Sequence, residues 1–98
     1  MFNYSLYNIE IFVKHLKSAE RDPLLSKVMQ EDAQDLIVFF TQKISKSKQD
    51  PHLSALDLVS FDLPFPKEME KAIQNVSDDG YGKVVEFLRA RPLASRGG

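Results

Sequence analysis

Few residues of this 98-residue chain have types and spacing that could do chemistry. They are the two histidines His15 and His52, the carboxylate pairs Asp32/Asp35 and Glu68/Glu70, and the glycine-rich run Asp79-Gly80-Tyr81-Gly82-Lys83. A zinc-type centre needs several N, O or S ligands converging at matched geometry. The chain has no cysteine, and its histidines fall on different expected helices, so they read as surface or partly packed side chains. Paired carboxylates serve acid–base catalysis only inside a cleft that desolvates them. The two pairs here read instead as solvated helix faces, with negative charge favoured near a helix N-terminus. The glycine run fails as a phosphate-binding loop, which needs wider glycine spacing and a Ser or Thr after the lysine; Val84 follows Lys83. No Gly-x-Ser-x-Gly elbow is present to anchor a hydrolase triad. The expectation is a protein that is not an enzyme and holds neither metal nor cofactor.

Charged clusters remain to be explained. Lys43, Lys46 and Lys48 gather at the expected end of the second helix, where cations complement the helix dipole. Arg89, Arg91 and Arg96 gather at the C-terminal end, flanked by Tyr81 and Phe87. Arg and Tyr are enriched among residues that dominate protein interfaces, so this end is a candidate contact surface.

Composition narrows the function classes. Hydrophobic residues make up 43% of the chain and charged residues 28%, with a net charge of −1 and a pI of about 6.1. Such a balance speaks against a nucleic-acid binder, which would carry a basic face. The longest apolar run is Leu36-Ile37-Val38-Phe39-Phe40, far short of the roughly 18 to 20 residues of a membrane span. Met1-Phe2-Asn3-Tyr4-Ser5 has no basic region, and Glu10 interrupts the apolar residues that follow, so no secretion signal is expected. The length fits a single domain, 1–98, with one core.

The elements that would carry these residues are helices. Leu6, Ile9, Phe12, Val13 and Leu16 recur at helical steps opposite Glu10, Lys14 and Lys17, predicting a first helix over about 5–19. Asp22-Pro23-Leu24-Leu25-Ser26 and Asp50-Pro51-His52-Leu53-Ser54 share an opening, an N-cap carboxylate followed by a proline suited to a first helical turn. A second helix is expected over about 23–47, with Leu25, Val28/Met29, Ala33, Leu36/Ile37, Phe40 and Ile44 as its stripe. Val38 and Phe39 add apolar surface outside that stripe and predict a helix contacted on more than one side. The third helix is expected to start at Asp50-Pro51 and to turn Leu53, Leu56 and Val59 toward the core. Phe61-Asp62-Leu63-Pro64-Phe65-Pro66 reads as a rigid connector. A fourth helix shows Met69, Ala72, Ile73 and Val76 on one face, and a final stretch over about 80–91 shows Tyr81, Val84, Val85 and Leu88. Residues 92–98 read as a mobile tail.

Ile44-Ser45-Lys46-Ser47-Lys48-Gln49, the apolar third helix, Asp62-Leu63-Pro64-Phe65-Pro66-Lys67-Glu68 and the run Gly80-Tyr81-Gly82-Lys83-Val84-Val85-Glu86-Phe87 together resemble the immunity proteins of class IIa (pediocin-like) bacteriocins, the enterocin A immunity family. The Pro64-x-Pro66 connector and the short third helix depart from the family pattern. The resemblance implies an all-α fold, an antiparallel four-helix bundle with a C-terminal helical extension. It implies self-protection of a bacteriocin-producing cell from the cytosol, at the inner face of the membrane. The implied partner is a mannose phosphotransferase permease carrying bound bacteriocin, with the C-terminal part setting which bacteriocin is matched. On this sequence that role falls to Tyr81, Lys83, Phe87, Arg89, Arg91 and Arg96.

Other readings compete. A colicin-nuclease inhibitor is a small helical bundle too, but needs a strongly acidic surface that a net charge of −1 does not supply. A helical adaptor or regulatory protein, dimerising through the exposed part of Leu36 to Phe40, is the alternative from another class.

Overall fold

The structure, a computed structural model, describes residues 2–61 and 67–90. In chain order the elements are β1 (Phe2–Ser5), α1 (Leu6–Glu20), α2 (Lys27–Lys48), α3 (Pro51–Ala55), β2 (Leu58–Phe61), α4 (Lys67–Gln74) and α5 (Tyr81–Ala90). Among the described residues the chain is mostly helical, as its periodicity predicts, with a small two-stranded sheet that the all-α expectation missed. The connector's residues 62–66 and the expected tail lie outside the described residues.

On α1 the expected stripe is realised in its greater part: Ile9, Phe12, Val13 and Leu16 are buried and Leu6 is half-buried, while Glu10, Lys14 and Lys17 are exposed and Ala19 joins the buried face. The face is wider than read, because Ile11 and His15 are buried too. The helix ends at Arg21, and the first Asp-Pro follows. Asp22 makes a single turn there, its carbonyl accepting from Leu25 N at 3.1 Å and its carboxylate Oδ1 from Leu24 N at 2.9 Å. The helix proper begins only after Ser26, whose hydroxyl accepts from Met29 N at 3.2 Å. A serine N-cap four residues beyond Asp22 therefore displaces the expected start. At the second Asp-Pro the expectation holds: Asp50 Oδ1 accepts from His52 N at 3.0 Å, and α3 starts at Pro51.

The third helix is much shorter than read. It stops at Ala55, Asp57 takes a left-handed backbone conformation with φ 53°, and the chain turns into a strand. Leu56 is consequently exposed, whereas Val59 reaches the core from β2. β2 pairs antiparallel with β1, setting Phe2 opposite Phe61, Asn3 opposite Ser60, Tyr4 opposite Val59 and Ser5 opposite Leu58. The joint is reinforced by Leu6 N donating to Asp57 O at 2.9 Å. A two-stranded ribbon is marginal alone; this one buries Tyr4 and Val59 on one face and contacts α1 and α2. Short-range helical spacing around Val59 was thus overridden by a strand partner more than fifty residues away.

A single cluster forms the core. Among the described residues, Phe12, Phe40, Ile9, Leu16, Leu36, Met69, Ile73, Leu88 and Val59 are its largest fully buried side chains. Phe12 is the hinge of the aromatic packing, with ring centroids 5.6 Å from Phe40 and 5.9 Å from Phe87, both edge-on. The extra apolar residues of α2 behave differently from one another. Phe39 is half-buried, stacks edge-on with Phe40 at 5.1 Å and carries Lys43 Nζ over its ring at 5.4 Å. Val38 stays 52% exposed, so the second contacting side expected for α2 is not formed at Val38. α5 is a separate helix, divided from α4 by the turn 75–80, and it contacts α1, α2 and α4.

Candidate partner-binding site

The C-terminal helix pair is positioned by the turn between α4 and α5. Ser77 O accepts from Gly80 N at 3.0 Å, and Gly80 O then accepts from Lys83 N and Val84 N at 3.1 and 3.2 Å, which starts α5. A Cβ on Gly80 would lie 3.1 Å from both the carbonyl and hydroxyl oxygens of Ser77, a tight contact that the turn would have to give way to. A Cβ on Gly82 would meet nothing.

Polar side chains then tie this turn to α1. His15, buried, places Nε2 2.8 Å from Ser77 O. A carbonyl only accepts, so Nε2 carries the proton and donates. Asn8 Nδ2 donates to Ile73 O and Gln74 O at 3.2 and 3.3 Å, and Tyr7 Oη to Asp78 Oδ2 at 3.4 Å. Tyr81, half-buried and tilted against the His15 ring at 6.2 Å, donates from Oη to Asp22 Oδ2 at 2.6 Å. Burial, then the Asp22 hydrogen bond and charge, push the Tyr81 phenol up to about 12 from 10.0. The same Tyr81 bond, helped by Leu24 N–H and opposed by burial, lowers the Asp22 carboxyl from 3.8.

These shifts make the Asp22–Tyr81 tie pH-dependent at both extremes. Asp22 is depressed when folded, so its contribution is present above pH 3.8 and lost as pH falls through the lower folded value. Tyr81 is raised when folded, so its contribution is present below pH 10.0 and lost as pH rises through about 12. Tyr81→Phe is expected to lower the melting temperature by roughly 5 °C at neutral pH. It should also raise the Asp22 carboxyl toward 3.8 in an NMR titration. The wild-type advantage should vanish in melts at strongly alkaline pH.

Between the two helices lies a groove of about 710 Å³. Ala72 and Val76 of the α4 side and Val84, Phe87 and Ala90 of α5 give it an apolar floor; Lys71, Lys83 and Glu86 stand exposed at its rim. The hydroxyl in this lining, Ser77 Oγ, donates to Asp79 Oδ1 at 3.1 Å within the exposed turn. What the groove offers is apolar contact beside two lysines and a glutamate.

The sequence candidates divide across this geometry. Lys83 and Phe87 line the groove, Phe87 also bracing Phe12. Tyr81 faces Asp22 and His15 and fixes the start of α5. Arg89 is exposed and does not line the groove; Arg91 and Arg96 lie outside the described residues. Sequence reading missed Lys71, Ala72, Val76 and Glu86 as groove residues; it placed Ala72 and Val76 only on a shared helix face with Met69 and Ile73. It also missed the tie through His15 and Asp22, which joins positions 59 to 62 residues apart and leaves no local signal.

The other chemical candidates do not converge. Asp32 is buried on α2, contrary to its expected solvation, while Asp35 is exposed; His52 is exposed on α3; Glu70 accepts from Gln74 Nε2 at 3.4 Å. Among the described residues no group of three or more His, Asp or Glu could hold a metal ion, and no helix is long and apolar enough to cross a membrane. Compared with protein-family models, curated proteins and solved structures, the chain has no match.

Proposed function

We propose that this chain is a non-enzymatic immunity protein of the class IIa bacteriocin type, giving its cell self-protection from the cytosolic side of the membrane. In this reading α1, α2, α4 and α5 are an antiparallel four-helix bundle with the β1–β2 ribbon as an addition. The target is a bacteriocin-bound mannose phosphotransferase permease, and the α4–α5 groove is the surface that meets it. The supporting observation is that Lys83 and Phe87, which the family resemblance assigns to the specificity-setting end, line an apolar groove whose rim carries two lysines and one glutamate. A groove of this kind suits an amphipathic segment of a membrane-bound complex. Arg89, Arg91 and Arg96 would extend the contact.

The test is the inhibitory concentration of a panel of class IIa bacteriocins against a sensitive lactic acid bacterium expressing the chain, beside an empty-vector control. Selective protection against one or a few members is expected, with loss of most of it in Lys83→Glu at unchanged protein level. No protection across a broad panel overturns the reading. The alternative, a helical adaptor acting through protein contacts, draws on a different observation, the exposed Val28 and Val38 of α2.

A further inference from the structure

The side of α2 turned away from the core carries Val28, Glu31, Asp35 and Val38 at steps of three and four, one stripe of a helix. Val28 is 44% exposed and Val38 52%, and both carboxylates are exposed. Next to this stripe a groove of about 530 Å³ runs between α1 and α2. Lys14 and Lys17 of α1 and Arg21 just after it line the groove, with Val13 buried beneath them, and Thr41 and Ile44 line it from α2; Glu10 is the one acid there. Among the described residues none of these three cations, nor Glu31 or Asp35, is held in an ion pair. One molecule thus presents, side by side, an acidic stripe with exposed valines and a basic groove with an apolar floor.

We propose that the occupant of this face is a second copy of the chain, docked through α2 about a two-fold axis at Val38 with the two α2 helices antiparallel. The pairing follows from counting. In such a dimer a residue a given number of positions before Val38 lies opposite the residue equally far after it. Asp35 of the second copy comes opposite Thr41, and Glu31 opposite Ser45. Thr41 and Ile44 share the groove with Lys14 and Lys17, so the incoming carboxylates arrive at the cations that lack partners. The two-fold repeats the contact, which makes the face self-complementary. Val38 meets its symmetry mate on the axis and loses its exposure. A parallel arrangement fails on charge, because it would set Glu31 against Glu31 and Asp35 against Asp35. With 22 residues, α2 is about 33 Å long, enough for an extended seam. The α4–α5 groove takes no part, so the dimer stands or falls independently of the proposed immunity role.

The test is sedimentation equilibrium of the full chain, monomer mass 11.2 kDa, over about 5 to 500 μM at low and high salt. The mass is expected to rise toward twice the monomer value, with association weakened by salt. Lys17→Glu and Asp35→Lys should each weaken association by about tenfold, and the double variant should return to within about threefold of wild type. Val38→Glu should leave a monomer. Every substituted position is exposed, and helical circular dichroism checks that each variant is folded. Lys83→Glu, in the other groove, should leave the mass unchanged. A monomer at every concentration, a dimer indifferent to Val38→Glu, a double variant no tighter than either single, or a dimer lost on Lys83→Glu would each overturn the proposal.

Discussion

Phe12→Ala is expected to be the most damaging single truncation in the chain. The side chain is fully buried on α1 and stands between two other rings, Phe40 of α2 at 5.6 Å and Phe87 of α5 at 5.9 Å. Removing it takes away the largest apolar surface at the junction of three helices and leaves a cavity that cannot collapse without moving all of them. Such truncations cost about 3 to 5 kcal/mol, a large part of the roughly 5 to 15 kcal/mol that holds a small domain together. Chemical denaturation should show the midpoint falling sharply. Phe12→Leu, which keeps most of the volume, should cost about 1.5 kcal/mol or less. If the two variants were equally stable, the three-ring junction would not be the keystone of the core.

His15→Ala is expected to have the second largest effect, by another mechanism. His15 is only 4% exposed, and its Nε2–H reaches the carbonyl of Ser77 in the α4–α5 turn at 2.8 Å. The substitution removes a buried ring and a long-range hydrogen bond together, at a cost of about 2 kcal/mol. Ser77 O still accepts from Gly80 N, so the turn itself survives while its attachment to α1 loosens. Native-state hydrogen exchange should therefore accelerate most at Gly80, Lys83 and Val84, the amides that build the turn and open α5. A uniform loss of protection would show instead that His15 contributes bulk alone.

The difference between these two sites bears on what a chain discloses before it folds. Phe12 was legible as a core residue because its helical spacing from Ile9, Val13 and Leu16 repeats the period of one buried face. His15 lies on the same helix, yet its burial depends on Ser77, 62 residues away, and no local pattern encodes that. The candidate site shows the same division. Lys83 and Phe87 were named from residue type and position at the C-terminal end, and both line the α4–α5 groove. Tyr81 was named with them, but its hydroxyl belongs to Asp22. Asp22 itself was read as a helix N-cap, whereas it caps a single turn and Ser26 starts α2.

Sequence by itself determined the mostly helical character of the chain and the inward faces of α1, α2, α4 and α5. It also determined the start of α3 at Pro51, whereas the separation of α5 from α4 is decided by the structure. Each sequence-determined feature rests on side-chain periodicity or a capping group within one or two turns, interactions that are complete before any distant segment arrives. Tertiary structure alone decided that residues 58–61 form a strand, that Val38 stays exposed while Phe39 is partly covered, and that a groove opens between α4 and α5. It decided too that His15 and Asp22 hold α5 in place. Those outcomes depend on which surfaces meet in the folded chain, across more than fifty residues for the strand pair and the His15 and Asp22 ties, where backbone hydrogen bonds to a distant strand and the burial of shared apolar area outweigh the small local preference for one conformation over another.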